Sequence, residues 1–199
     1  MSAPAVIAIG GSAGALDALL ALLPALPDAL ATPIVVVVHV PPAQPSLLAE
    51  LLARACRRPV LEIEDKLAMQ QRTIYVAPPN YHVLCERDRS LALSVDAPVQ
   101  FSRPSIDVLF ESAVDAFRGA VVGVVLSGAN DDGARGLARI ARAGGTALVQ
   151  DPTTAAYPEM PAAAARMAGA ARVAPVAGLA SVLAGFATPS PPRYQDGYR

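Results

Sequence analysis

Apolar and polar positions alternate in blocks along this chain of 199 residues. Short β-branched or aliphatic runs are separated by stretches whose apolar residues recur at helical spacing, the pattern of an α/β domain with a largely parallel sheet. Residues 6–9 (VIAI) read as a buried strand, Gly10, Gly11 and Gly14 as a tight turn, and Leu16, Leu19, Leu20 and Leu23 as the apolar face of a helix. Residues 34–38 (IVVVV) predict a second strand, and SLLAELLARAC predicts a helix with Ser46 as its cap. Short strands are expected near 59–63 and 73–77, and a hairpin across 82–95, where DRS turns the run HVLCERDRSLALSV.

The alternation continues to the C-terminal end. RPSIDVLFESAVDAF predicts a helix with Pro104 near its first turn, and residues 120–126 predict a buried strand. GARGLARIARAGG reads as a helix closed by glycines, and TALVQ as the next strand. A helix over 159–168, a short strand at 172–176 and a helix over 178–186 complete the series. The tail TPSPPRYQDGYR, rich in Pro and polar residues, reads as disordered. No repeat or linker divides the rest. The expectation is one α/β domain over 1–186, a largely parallel, doubly wound sheet flanked by helices with a small antiparallel hairpin, and a tail over 187–199.

Composition narrows the chemistry. The 53% hydrophobic content, with 5% aromatics and no Trp, suffices for a substantial core. A net charge of -1 gives no footprint for nucleic acid or an anionic membrane. The apolar runs are too short to cross a bilayer, and the start of the chain lacks signal-peptide features. Cys56 and Cys85 form neither a disulfide framework nor a metal-ligand spacing. A reduced, cytoplasmic protein is expected.

The glycine turn carries the first chemical signal. It has no nearby Lys to reach a phosphate, and GGSAGA does not supply G-x-G-x-x-G. Gly10-Gly11-Ser12-Ala13-Gly14 is formally G-x-S-x-G at a strand-to-helix junction, where a serine is either a helix cap or a presented nucleophile. A serine nucleophile needs a base, and the chain has two histidines. His39 follows the IVVVV strand, at the carboxyl end where open sheets form ligand crevices. His82 opens the hairpin and ranks below it. The strand over 120–126 delivers Asp131 and Asp132 at a third strand end, where they read either as capping residues or as the acceptor that orients a histidine. The order Ser12, His39, Asp132 differs from the Ser, acid, His order of α/β-hydrolases.

With these residues in place, the sequence resembles the catalytic domain of chemotaxis protein-glutamate methylesterases, the CheB-type family. The segments that carry the resemblance are IAIGGSAGALDAL, VVVVHVPP, TIYVAPPNYHVL, RPSIDVLFESA, VVLSGANDDGARGL and the QDPTTAAYPEMP region. It implies hydrolysis of glutamate methyl esters on the cytoplasmic helices of methyl-accepting chemoreceptors, and deamidation of receptor glutamines. No metal or organic cofactor is implied. By the same resemblance Ser12 is the nucleophile, His39 the base, and Asp132 rather than Asp131 the acid. Backbone N–H groups of Ala13 and Ala129 are expected at the oxyanion site, Arg103 is a candidate contact for an acidic substrate segment, and the loop from Tyr157 to Pro161 a candidate cleft wall.

The sequence departs from the family pattern at Ala13, where a hydroxyl residue is usual, and at Ser102, where His is common. The loop Gly128-Ala129-Asn130-Asp131-Asp132-Gly133 lacks the usual Met and second Gly, and Asp131 adds a charge expected to raise the basicity of His39. The first strand begins at Val6, so no receiver domain is expected in this chain; if the chain stands alone, control comes from a separate regulatory protein, from expression, or not at all. Two other readings stand beside the methylesterase: a non-catalytic signalling module on the same fold, and a hydrolase of other small esters.

Overall fold

The computed structural model describes residues 3–40 and 46–187. All but the first residue of the expected disordered tail lies outside the described residues. In chain order the strands and helices are β1 (Val6–Gly11), α1 (Ala15–Leu22), β2 (Ile34–Val38), α2 (Leu48–Ala55), β3 (Val60–Glu62), β4 (Leu67–Ala68), β5 (Ile74–Val76), β6 (His82–Cys85), β7 (Ser90–Ser94), α3 (Ile106–Phe117), β8 (Val121–Val125), α4 (Ala134–Arg142), β9 (Thr146–Gln150), α5 (Glu159–Ala168), β10 (Arg172–Ala174) and α6 (Val176–Ala184). Seven strands form one parallel sheet in the order β10-β9-β8-β1-β2-β5-β3. β4, β7 and β6 form a small antiparallel sheet.

The pleat sorts the core. Along β1, Val6 and Ala8 enter one apolar cluster with Leu109 and Phe110 of α3, Leu137 of α4 and Met160 of α5. Ile7 and Ile9 point the other way, to Leu19 of α1, Leu52 of α2 and Leu183 of α6. Burial on both faces is why these strands are continuous apolar runs rather than alternating ones. The small sheet joins the first cluster through Val83, Cys85 and Leu91. From β1 the chain passes to β2, then to β3 at the edge and back to β5 between them, before crossing to the other side of β1 for β8, β9 and β10. The reversal lies at β1 and β8, and open sheets bind ligands beyond the carboxyl ends of strands at such a point.

Most expected elements are observed within a residue or two. In α1 the buried stripe is Ala15, Ala18, Leu19 and Leu22, one residue out of phase with the leucine pattern, and Leu16 and Leu20 are each 36% exposed. Small alanines face the sheet and the surplus leucines lie at the rim. The Ser46 hydroxyl accepts the Leu48 N–H at 3.2 Å, although the residue at the cap position is Leu47. Pro104 precedes rather than enters the first turn of α3, whose cap is Ser105. β4 was not legible, because a two-residue strand carries no periodicity.

β8 and α4 approach closely at Gly123, where an added Cβ would lie 2.6 Å from Ile140 Cδ1 and 2.8 Å from Leu137 Cδ1. Gly123→Ala is therefore expected to displace the Cδ1 ends of Ile140 and Leu137 and cost about 1 kcal/mol, read as a lower urea midpoint with an unchanged slope. An unchanged midpoint would show that α4 repacks without strain.

Candidate active site

The sheet register sets the first two side chains side by side. Gly11 of β1 pairs with Val38 of β2, so Ser12 and His39 are the next residue on each of two adjacent strands. The His39 N–H donates to the Gly11 carbonyl at 3.2 Å, and the Ser12 N–H donates to the Ser127 carbonyl beyond β8 at 2.9 Å. Ser12 does not cap α1: the cap residue is Gly14, left-handed at φ 73°, and it has no side-chain cap. Among the described residues the half-buried Ser12 hydroxyl has no hydrogen-bond partner. Gly10 and Gly11 belong to β1 rather than to the turn, and at Gly14 a left-handed backbone is combined with crowding, since a Cβ there would meet Ala156 Cβ at 2.7 Å and Ser127 Oγ at 2.8 Å.

His39 is joined to the third strand end. Its Nε2 lies 2.8 Å from Asp132 Oδ2, and Asp132 is fully buried. An ionised carboxylate only accepts hydrogen bonds, so the imidazole proton sits on Nε2 and Nδ1 carries the free lone pair. Ser102 Oγ at 3.4 Å and Asn130 Nδ2 at 3.5 Å flank that nitrogen. Asp131 is exposed, and among the described residues it makes no hydrogen bond or ion pair with His39.

Asp132 sits on the N-terminus of α3. Its Oδ2 also accepts the Ile106 N–H at 2.7 Å, while Oδ1 accepts the Asp107 N–H at 3.0 Å and the Ser105 hydroxyl at 2.9 Å. Burial pushes its carboxyl pKa up, but the His39 hydrogen bond and the two amides outweigh that and hold it below the ordinary carboxylate value. Asp107 returns the arrangement: its Oδ1 accepts the Gly136 N–H in the first turn of α4 at 2.7 Å. Each aspartate thus accepts first-turn N–H groups of the helix that the other's segment begins. Asp107 Oδ2 has no hydrogen-bond partner among the described residues, and Arg135 Nη2 stands 3.6 Å away. Burial pushes the Asp107 carboxyl up to about 6; the Asp132 and Glu111 charges add to the rise, and the Gly136 N–H and Arg135 oppose it.

Of the other expected residues, Ala13 and Ala129 flank the turns after β1 and β8, and among the described residues neither N–H has an acceptor. Arg103 lines a cleft of about 400 Å³ with His39, Asn80, Phe101 and Ser102. Its guanidinium is spent within the chain: Nε and Nη2 donate to Asn80 Oδ1 at 3.1 and 2.7 Å, and Nη1 donates to the Val95 and Asp96 carbonyls at 2.6 and 2.9 Å. The Tyr157 segment is laced to the end of β8, its N–H donating to Ser127 Oγ at 2.9 Å and its carbonyl accepting the Gly128 N–H at 3.1 Å. Ser105, Ser127, Asn130 and Gln150, whose Oε1 accepts the Ser127 N–H at 2.9 Å, were missed in the sequence. For Ser105 a signal existed, since a serine after proline and before an apolar helical run is an N-cap pattern. Among the described residues no three His, Cys, Asp or Glu side chains gather to hold a metal ion, and no helix is long and apolar enough to cross a membrane.

A doubly wound parallel sheet with a serine turn, a histidine and a buried carboxylate at its central strand ends points to a parallel α/β ester hydrolase, and the comparisons with known proteins name its kind. Residues 7–183 match the family described as CheB methylesterase, and the chain belongs to that family. A relative from Leptospira interrogans is 44% identical over 158 residues, covering 79% of this chain and 82% of its own. Protein-glutamate methylesterases/protein-glutamine glutaminases of Bradyrhizobium diazoefficiens and Trichodesmium erythraeum are 38% and 37% identical over 178 residues. The match covers 87% and 88% of this chain but only 45% and 51% of theirs, so the chain spans about half the length of these two. The catalytic domain of the Thermotoga maritima CheB methylesterase superposes with a TM-score of 0.86 at 26% identity, covering 93% of this chain and 99% of that one.

The raised Asp107 gives a stability signature with a definite sign. Its folded pKa of about 6 lies above the ordinary carboxylate value of 3.8, so the native state holds the proton more tightly and loses stability as pH rises through that window. Asp107→Asn keeps the acceptor for Gly136 and removes the charge. The variant is expected to gain on the wild type as pH rises from about 4 to about 6, approaching about 3 kcal/mol before levelling off. Urea unfolding across that range checks it, and a difference that does not vary with pH would contradict the assignment.

Proposed function

We propose that this protein is a serine-dependent protein-glutamate methylesterase that also deamidates glutamine, acting in the cytoplasm on the methylated helices of chemoreceptors. The observation that carries the reading is the His39–Asp132 pair beside a serine hydroxyl on the adjacent strand end that has no hydrogen-bond partner among the described residues. Family membership supplies the reaction class.

In the reading proposed, Ser12 Oγ attacks the ester carbonyl while its proton passes to His39 Nδ1. Asp132, held to Nε2–H, stabilises the imidazolium. The oxygen of the tetrahedral intermediate gains negative charge, which the N–H groups of Ala13 and Ala129, without acceptors among the described residues, would stabilise. When the intermediate collapses, the C–O bond to the methoxy group breaks and Nδ1 returns the proton, releasing methanol and leaving an acyl-serine. Water then adds to the acyl carbon, giving a proton to Nδ1, and the second collapse restores Ser12 and frees the glutamate carboxylate. A glutamine side chain presents the same electrophile, with ammonia as leaving group. Because Asp132 binds Nε2, the atom that moves the proton is Nδ1.

Methanol release from membranes bearing methylated chemoreceptors tests the proposal. Ser12→Ala is expected to abolish release above background, and Asp132→Asn to lower kcat by about 10⁴-fold, because the amide no longer fixes the imidazole tautomer. Release that persists in Ser12→Ala would reject the serine mechanism. Release absent from the wild type, with hydrolysis of small acyl esters retained, would move the protein to the small-ester reading.

A further inference from the structure

His82 is buried, 1% exposed, and takes no part in the proposed proton transfers. Its two nitrogens nevertheless hold both ends of the cleft wall. The Ser105 N–H donates to Nδ1 at 3.1 Å, so Nδ1 is unprotonated and Nε2 carries the hydrogen, which donates to the Ala97 carbonyl at 3.1 Å. Residues 97–105 run between these two bonds and include Phe101, Ser102 and Arg103 of the cleft. At the far end Ser105 Oγ donates to Asp132 Oδ1 at 2.9 Å. One neutral ring therefore ties the wall at its start and sets the serine that grips the carboxylate.

We propose that His82 is a positioning residue for the esterase reaction, its Nδ1 acting through Ser105 on Asp132 and its Nε2 holding the substrate-facing wall through Ala97. The inference rests on the assignment of Asp132 as the acid that orients His39. The two nitrogens do separable work. Loss of the Nδ1 acceptor frees the Ser105 amide, lets the hydroxyl move from Asp132, and slackens the carboxylate that fixes His39; misplacement on the order of 1 Å at a catalytic group costs about 100-fold. Loss of the Nε2 donor frees Ala97 and the wall behind it, which affects how substrate is held.

Two conservative variants separate these effects. In His82→Asn the amide oxygen occupies the place of Nδ1 and keeps the Ser105 bond; in His82→Gln the amide nitrogen occupies the place of Nε2 and keeps the Ala97 bond. With receptor-bearing membranes as substrate, Gln is expected to lower kcat by roughly 10- to 100-fold with KM within about twofold, and Asn to restore most of kcat while raising KM. A fall in kcat that is the same in both variants, or in neither, would overturn the proposal. A second readout needs no turnover: the proton NMR resonance of His39 Nε2–H, bonded to Asp132, should shift in the Gln variant and hold its place in the Asn variant. If the wild type releases no methanol, the methylesterase reading fails on its own, and an unmoved resonance in His82→Gln would still reject the role of His82.

Discussion

The site depends on one buried carboxylate. Asp132 is removed from water, and an unpaired charge there would cost several kcal/mol. Four hydrogen bonds offset that cost, two on each oxygen, from His39 Nε2, the Ile106 and Asp107 amides and the Ser105 hydroxyl. Two of the four come from backbone N–H groups in the first turn of α3, which would otherwise lack acceptors, and where the helix dipole favours negative charge. The carboxylate and the helix end solve each other's problem. His39 receives a fixed partner, and the first two amides of α3 receive acceptors.

The same logic spreads outward. Asp107, on the first turn of α3, caps α4, and α4 follows directly on the loop that holds Asp132. The helices that flank the site are therefore joined by side chains at their starts as well as by Phe110 and Leu137 in their shared core. On the opposite side, Ser127 and Gln150 tie the ends of β8 and β9 to the serine turn and to the Tyr157 segment. Arg103 performs a similar task, tying its own loop at Val95 to Asn80 between β5 and β6.

How much of this was legible follows from which interactions leave a pattern in sequence. The parallel sheet was, because strands buried on both faces must be apolar throughout, as in IVVVV and AVVGVVL. The positions of Ser12, His39 and Asp132 at strand ends followed from the same strands. What escaped was the partner set of each group. That Ser105 serves Asp132 across 27 residues, or that His82 spans two ends of one loop, leaves no periodicity to read. The phase of α1 was misjudged for a related reason, since Ala15 and Ala18 count little in a search for large apolar residues yet fit best against a close-packed sheet.

The three strands that present the site are the middle ones. β8, β1 and β2 have β9 and β10 outside them on one edge, and β5 and β3 on the other. Edge strands fray first, with the smallest free energies of local opening, whereas central strands open only near the global unfolding limit. Amide exchange at Gly10 or Val125 would thus report the lifetime of the strand ends that hold Ser12, His39 and Asp132. Thermal loosening that stays at the margins leaves these side chains in register, and their geometry survives for as long as the domain does.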